Sequence, residues 1–218
     1  DTPDLHEVIL RLLDRGYEQL VLVGYSMGGS MSLKYLGEAI RDPKIRGAVV
    51  FSVPCNLKDS SVQLTRKENR MYEQRFVRKL IDKLKAKSQL GSPIDLSQID
   101  SIKDFDTFHE MYTAPLHGFS DREDFFTQAT CDQFLPNINV PTLIVNALND
   151  PMLGDLCYPY DKARESEFVF LETPKRGGHV GFTIKPNAPS YIELRIESFI
   201  NEHILPSLQR VQSQGKQS

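Results

Sequence analysis

The sequence has few of the features that mark secreted, membrane-spanning and nucleic-acid-binding proteins. Its only cysteines, Cys55, Cys131 and Cys157, are widely spaced and form no Cys-x-x-Cys pair, so we expect a reducing compartment and no metal site. No run approaches the roughly 18 consecutive apolar residues of a membrane span. The net charge of -3 lacks the positive excess with which nucleic-acid binders replace phosphate counterions. We therefore expect an intracellular protein without nucleic-acid partners, while a membrane anchor in a longer form of the chain stays open.

The composition that is present indicates a folded domain. Apolar residues make up 40% and charged residues 25% of the 218 residues, which suffices to bury a sizeable core. The chain begins at Asp1 with neither methionine nor a signal-like segment. We therefore interpret the N-terminus as cut rather than native.

The chain is organised around a short apolar run at 20–23 that leads into Gly-Tyr-Ser-Met-Gly at 24–28. A serine that attacks a carbonyl group must stand on a sharp strand-to-helix turn, with its Oγ exposed and small neighbours around it. We expect Gly24 and Gly28 to provide that clearance and Ser26 to be the nucleophile. The turn also points the backbone N–H of Met27 at the place where negative charge develops, so Met27 is the predicted oxyanion-hole donor.

Strand and helix signals alternate on both sides of this motif, which is typical of an α/β fold with a parallel sheet. We assign residues 1–56 and 121–205 to the core of that fold. The tail, 206–218, is rich in Gln, Ser and Lys, and we expect it to be disordered. Apolar runs predict parallel strands at 19–23, 48–53, 141–147 and 167–171, and helical periodicity predicts helices at 4–15, 28–40, 124–134 and 191–204.

Residues 57–120 interrupt the alternation, because helical periodicity continues there without apolar strands. We interpret this segment as a helical cap inserted into the core. Its main apolar stripe consists of Phe76, Val77, Leu80, Ile81 and Leu84. Between positions 66 and 87, nine Lys and Arg residues accompany three Asp and Glu residues. Two interpretations stay open: a solvated helix face, which is the commoner case, or a peripheral contact with anionic lipid headgroups of a membrane.

A serine nucleophile needs a base, and the base needs an orienting acid. In sheets of this kind the catalytic groups collect at the carboxyl ends of the strands. Asp150 follows the third predicted strand and precedes Pro151, and His179 lies in a glycine-rich loop after the fourth. Ser, Asp, His is the chain order of an α/β-hydrolase triad, so we predict Ser26, Asp150 and His179 as nucleophile, acid and base.

The other candidate groups fit these roles less well. His109 and His117 fall in the predicted cap, where a structural role is the more common one and substrate contact is the alternative. Ser30 and Ser32 lie inside the helix after the elbow, where a hydroxyl is poorly placed for attack. No basic neighbour in the sequence activates the cysteines, so buried, inert thiols are expected.

Several motifs together resemble one known group of proteins. They are Gly-Tyr-Ser-Met-Gly-Gly at 24–29, Lys-Tyr-Leu-Gly-Glu at 34–38, Tyr-Thr-Ala-Pro at 112–115 with His-Gly-Phe at 117–119, Asn-Asp-Pro at 149–151 and Gly-Gly-His-Val-Gly-Phe at 177–182. Up to the predicted tail, the sequence resembles the YheT-like branch of the α/β-hydrolase superfamily, which includes abhydrolase-domain lipases and yeast medium-chain ester synthase/esterases. The resemblance implies the same roles for Ser26, Asp150 and His179, a small-molecule acyl ester as substrate, and no cofactor.

The sequence departs from that family at its beginning. An α/β-hydrolase forms its elbow after the fifth strand and takes a second oxyanion donor from the loop after the third, whereas one helix precedes the elbow strand here. We therefore interpret the chain as an N-terminally truncated α/β-hydrolase whose exposed sheet edge can support self-association. Two alternatives to a serine esterase stay open: an acyltransferase, in which an alcohol intercepts the acyl-enzyme, and a non-catalytic remnant that acts as an interaction module.

Overall fold

The computed structural model describes residues 2–38, 41–185, 187 and 189–206. The strands within them are β1 (Leu20–Tyr25), β2 (Ile45–Phe51), β3 (Thr142–Val145) and β4 (Val169–Glu172). The α-helices are α1 (Thr2–Asp14), α2 (Met27–Gly37), α3 (Leu57–Leu64), α4 (Arg70–Gln89), α5 (Phe105–Phe108), α6 (Ala114–Leu116), α7 (Arg122–Ala129), α8 (Tyr160–Glu165) and α9 (Tyr191–Phe199). Two π-helical turns, His109–Thr113 and Ile200–Ile204, follow α5 and α9.

The strands form one parallel sheet in the order β1-β2-β3-β4. Successive residues of the buried strand β2 face opposite sides of this sheet. Ala48 and Val50 join an apolar cluster with residues of α1 and α2, and Val49 and Phe51 join a second cluster with residues of α9. Such alternation is expected of a strand that is covered by helices on both faces. The predicted α/β class and the four predicted parallel strands are confirmed, with ends that differ by a few residues.

The helix after Ser26 is shorter than predicted. It ends at Gly37, and Glu38 has an extended backbone, whereas the periodicity indicated helix up to residue 40. Residues 39 and 40 lie outside the described residues. A glycine at this end allows a close backbone approach, since a Cβ at position 37 would lie 2.2 Å from the carbonyl oxygen of Phe134. This contact fixes α2 against the segment that leads into β3.

The prediction of a helix at 124–134 is wrong for the second half of that range. α7 ends at Ala129, because the backbone of Thr130 is not helical (φ -59°, ψ 123°). The Thr130 Oγ1 accepts a hydrogen bond from the N–H of Leu57 at 3.1 Å, which draws this position toward α3. A 3-10 turn, Cys131–Asn137, follows and contains Pro136. Proline has no N–H with which to continue an α-helix.

The helical segment predicted as a cap has an apolar cluster of its own. Its buried members are Val77, Leu84, Ile99, Ile102, Phe108 and Tyr112. The stripe predicted on α4 is divided between two environments, since Val77 and Leu84 are buried in this cluster whereas Phe76 is 36% exposed. The boundaries of the inserted cap, 57–120, stay a prediction. The tail predicted as disordered falls, from residue 207 onward, outside the described residues.

β1 lies at one edge of the sheet, and β4 lies at the other. Within the described part of the chain β1 has β2 as its strand neighbour, and its Val23 and Tyr25 side chains are both 43% exposed. Self-association through this edge therefore stays a prediction. In the same described part, no helix is both long enough and apolar enough to cross a membrane.

Asn146, directly after β3, is a polar residue in the centre of the core. Its side chain is buried, and its Oδ1 accepts the Val53 N–H at 2.7 Å. Its Nδ2 donates to the carbonyl oxygens of Val53 at 2.9 Å and of Cys157 at 2.8 Å. One amide thus satisfies three buried backbone groups in two loops at the carboxyl edge of the sheet.

We predict that Asn146→Ala strongly destabilises the fold. Removing the amide leaves buried backbone groups without partners, which costs about 2–4 kcal/mol of the free energy of unfolding. Asn137→Ala is the matched control, because Asn137 is exposed and its amide makes one long hydrogen bond, 3.3 Å to the Gly37 carbonyl oxygen. Urea unfolding of both variants measures the difference. Equal losses in the two variants would contradict the role assigned to Asn146.

Candidate active site

Ser26 stands between β1 and α2 in a strained backbone conformation. β1 ends at Tyr25, α2 begins at Met27, and Ser26 has φ 51° and ψ -124°. A non-glycine residue in such a region costs on the order of 1–3 kcal/mol. The Ser26 N–H donates to the Phe51 carbonyl oxygen at 2.9 Å, which ties the turn to β2. The backbone therefore forms the sharp strand-to-helix turn that the motif predicts.

The glycines around Ser26 differ in how much space surrounds them. A Cβ at Gly24 would lie 2.7 Å from the Gly28 carbonyl oxygen and from the Gly29 Cα, and a Cβ at Gly29 would lie 2.6 Å from a methyl group of Val53. A Cβ at Gly28 would meet no heavy atom within 4 Å in the described part of the chain. Clearance for an approaching substrate at Gly28 stays a prediction. Gly24 and Gly29 are the positions that need glycine, because α2 packs closely against the sheet at Gly29.

Ser26, His179 and Asp150 come from three separate loops and meet in one hydrogen-bonded line. The Oγ of Ser26 lies 3.1 Å from Nε2 of His179. The Nδ1 of His179 lies 2.9 Å from Oδ2 and 3.1 Å from Oδ1 of Asp150. The side chain of Asp150 is fully buried and that of His179 is 14% exposed. Oδ1 of Asp150 also accepts the Met152 N–H at 2.9 Å, so a second contact fixes the carboxylate.

Two residues that the sequence analysis missed hold the loop that carries His179. The Oδ1 of Asn149 accepts two successive glycine N–H groups of that loop, at positions 177 and 178, both at 2.9 Å. The Oγ of Ser52 accepts the Val180 N–H at 3.0 Å. Asn149 lies in the Asn-Asp-Pro motif, so its position beside the predicted acid is a signal that could have identified it. Ser52 follows β2 and carries no comparable signal.

A large cavity adjoins Ser26 and His179. It has a volume of about 1130 Å³, and Ser26, Met27 and His179 line part of it. Binding sites for small molecules typically measure about 300–1,000 Å³, so this one has room for an extended ligand. Most of its wall is apolar or aromatic and includes Phe76, Leu80, Leu84, Phe108, Phe125 and Phe126.

His109 brings a polar group into this apolar wall. It lies in the π-helical turn, a feature that often occurs at functional sites, and contacts the rings of Phe105, Phe108, Phe125 and Phe126. Its Nδ1 is 3.0 Å from the hydroxyl oxygen of Thr113. Burial lowers the pKa of His109 to about 4, and the charge of Arg122 adds to the lowering, so the imidazole is neutral at pH 7. His109 therefore packs among aromatic rings and also lines the cavity.

The three cysteines are free and buried. A hydrogen bond with Cys131 is the main cause that raises the pKa of the Cys55 thiol well above its ordinary value, and burial is the second cause. Burial raises the pKa of Cys157 to about 12. Thiols with such pKa values are protonated at pH 7 and are poor nucleophiles. Across the described residues, no group of three or more His, Cys, Asp or Glu side chains is placed to hold a metal ion.

A sequence model of the Hydrolase_4 family, described as Serine aminopeptidase, S33, matches residues 2–155. The chain is 32% identical over 180 residues to YheT of Escherichia coli (strain K12), named as a candidate esterase, covering 79% of this chain and 52% of YheT. It is 27% identical to phospholipase ABHD3 of Mus musculus, over 81% of this chain and 44% of that protein. It is 28% identical to a monoacylglycerol lipase of Saccharomyces cerevisiae, over 74% of this chain and 37% of that protein. The chain thus spans about half the length of these curated relatives or less.

Solved structures show likeness in fold. An esterase of Pyrococcus furiosus, Pf2001, superposes with a TM-score of 0.52 at 14% identity, over 93% of this chain and 62% of that one. An acylaminoacyl peptidase of Pyrococcus horikoshii superposes with a TM-score of 0.56 at 15% identity, over 94% of this chain and 28% of that one. Together with the family match, these likenesses confirm the predicted α/β-hydrolase fold.

We predict that His109 makes the stability of the fold depend on pH. Its pKa is about 4 when folded and about 6.5 when unfolded, so the unfolded chain binds more protons between these values. The contribution of neutral His109 is present above pH 6.5 and decreases as the pH falls toward 4. Between pH 7 and pH 5 the loss amounts to roughly 2 kcal/mol of the free energy of unfolding.

Urea unfolding of the wild-type chain and of His109→Phe at pH 7 and pH 5 measures this effect. Phe keeps an apolar ring in the aromatic surroundings and removes the titrating group, and background titration cancels between the two proteins. Between pH 7 and pH 5 the free energy of unfolding should fall by roughly 2 kcal/mol less in the variant than in the wild-type chain. An identical pH dependence in both proteins would show that His109 does not titrate between these limits.

Proposed function

Because the chain belongs to the Hydrolase_4 family (serine aminopeptidase, S33) and to the YheT-like branch of the α/β-hydrolases, we propose that it hydrolyses carboxylic esters of acyl chains. The observation that supports this most directly is the hydrogen-bonded line from Asp150 through His179 to Ser26. A serine hydroxyl within 3.1 Å of an imidazole nitrogen can transfer its proton while it attacks a carbonyl carbon. The buried carboxylate of Asp150 orients the imidazole and stabilises its charged form.

The proposed reaction has two steps. Ser26 Oγ attacks the ester carbonyl as His179 Nε2 accepts its proton, and His179 then donates that proton to the leaving alkoxide, which leaves as the alcohol. Water, deprotonated by His179, then attacks the acyl-serine, and His179 returns the proton to Ser26 Oγ as the acyl–oxygen bond breaks and the acid is released. In each step negative charge develops on the carbonyl oxygen.

Met27 is proposed to stabilise that charge through its backbone N–H. Met27 is the first residue of α2, so no preceding carbonyl group of the helix can accept this hydrogen bond. The positive end of the α2 dipole lies at the same place. Removing one donor of this kind costs about 10²–10³ in rate in serine hydrolases.

The wall of the cavity favours an acyl ester over a peptide with a free amino terminus. An aminopeptidase needs carboxylates to pair with the substrate ammonium group. Among the described residues that line the cavity, the charged side chains are four lysines and one carboxylate, that of Asp4. The remaining wall is largely apolar and suits an acyl chain. The enzymes named as lipases and esterases among the relatives agree with this choice.

We predict that a fluorophosphonate probe labels Ser26 of the chain. The probe reacts with activated serines and needs little substrate specificity, so Ser26→Ala should abolish labelling. His179→Ala should slow it by about 10²–10⁴-fold, because the general base is lost. Peptide mass spectrometry identifies the labelled residue.

Ser30→Ala is the matched control for this experiment. Ser30 also lines the cavity but is buried in α2, one turn after Ser26. Its replacement should leave the labelling rate unchanged. Labelling that persists in Ser26→Ala would contradict the assignment of the nucleophile, and an unlabelled but folded wild-type chain would favour a non-catalytic module.

A further inference from the structure

A row of three lysines on α4 lines the cavity beside its apolar wall. Lys79, Lys83 and Lys87 follow one another at four-residue spacing, so they lie on one stripe of the helix and span about 12 Å. Leu80 and Leu84, which line the same cavity, alternate with them along the helix. The helix therefore presents an apolar row and a cationic row to one cavity. The long apolar stems of lysines allow the charged ends to remain in water.

No carboxylate of the described residues pairs with these lysines. In the part of the chain that the structure describes, the ammonium groups of Lys79, Lys83 and Lys87 form no hydrogen bond or ion pair. The fourth lysine of the lining, Lys34, differs because it lies 3.9 Å from Glu38 and donates to a backbone carbonyl group. Asp4 is the one carboxylate among the described lining residues. The cavity next to Ser26 thus has a cationic side.

The other basic residues of α4 do not share this position. Arg75, Arg78 and Lys85 are exposed, as Lys79, Lys83 and Lys87 are, but none of these three lines the cavity. A solvated helix face would need no particular arrangement of its charges. Here half of the six basic residues between positions 75 and 87 stand in one row along the cavity that contains Ser26 and His179.

We infer that the site takes an amphiphilic ester with an anionic group, phosphate or carboxylate, bound by Lys79, Lys83 and Lys87. The acyl chain then lies against the apolar wall, and the ester bond lies at Ser26. This inference rests on the proposed ester hydrolysis and specifies its substrate class. Each exposed charge pair contributes modestly, but a row of three cations raises the local potential and attracts an anion before it binds.

A single bound molecule is favoured over a charged membrane surface by the position of the row. All six basic side chains between positions 75 and 87 are exposed, but Lys79, Lys83 and Lys87 line the cavity that contains Ser26 and the other three do not, whereas a flat charged surface could use either set. Binding of a single anionic molecule should depend on Lys79, Lys83 and Lys87, whereas binding to a membrane surface should depend on both sets of basic residues. A water-soluble ligand with one short chain tests the first possibility without any membrane.

The test compares the binding of octyl phosphate and of 1-O-octylglycerol to the 218-residue chain by isothermal titration calorimetry at low ionic strength. Neither ligand contains an ester bond, so neither is consumed. We expect octyl phosphate to bind about tenfold more tightly, with the preference shrinking at high salt. In Lys79→Gln/Lys83→Gln/Lys87→Gln the preference should fall to within about twofold.

The control variant is Arg75→Gln/Arg78→Gln/Lys85→Gln, which removes the same charge from the same helix outside the cavity. It should keep the preference of the wild-type chain. An unchanged preference in the lysine variant, or an equal loss in both variants, would overturn the inference. Circular dichroism confirms that both variants are folded.

The fluorophosphonate experiment separates this inference from the proposed function. If Ser26 is labelled but octyl phosphate is not preferred, the substrate class is wrong and the ester chemistry stands. If octyl phosphate is preferred through the lysine row but Ser26 is not labelled, the anion site stands and the ester chemistry is wrong.

Discussion

The contact between Ser26 and His179 depends on the parallel order of the four strands. Because parallel strands end at one edge of the sheet, the loops after β1, β3 and β4 bring Ser26, Asp150 and His179 together there. Ser26 and His179 are 153 positions apart in the chain, yet Oγ and Nε2 are 3.1 Å apart. A shift of one residue in strand register would move a loop by about 3.3 Å, which exceeds the tolerance of a hydrogen bond.

The same edge contains strained backbone that the sheet must hold. Ser26, Ser52, Val180 and Phe182 all have positive φ, at a cost of about 1–3 kcal/mol each. The hydrogen bond from Val180 to Ser52 joins two of these positions, and the buried ring of Phe182 contacts Phe51 of β2. The buried Asn146 side chain also joins two neighbouring loops, because it hydrogen-bonds to Val53 in one and to Cys157 in the other. The centre of the sheet thus keeps the loops of the candidate site in conformations that they would not adopt alone.

The strands, the elbow turn and the order of Ser26, Asp150 and His179 could be predicted because each depends on a pattern within a short segment. Ser52 could not be found in this way, since its contact joins β2 to a loop more than a hundred positions away. The helix predicted at 124–134 was wrong for a related reason: Thr130 bonds to Leu57 instead of continuing the helix. Likewise, the count of basic residues on α4 could not show that Lys79, Lys83 and Lys87 line the cavity and Arg75 does not.

If the hydrogen-bonded line makes Ser26 a nucleophile, an acyl form of Ser26 can be trapped. p-Nitrophenyl dimethylcarbamate suits this purpose, because carbamoyl-serine hydrolyses slowly and accumulates. Mass spectrometry of the digested protein should locate one dimethylcarbamoyl group on Ser26, and Asp150→Asn should react far more slowly because His179 loses its orienting carboxylate. A folded wild-type chain in which Ser26 stays unmodified, or in which Asp150→Asn reacts at the same rate, would contradict the account.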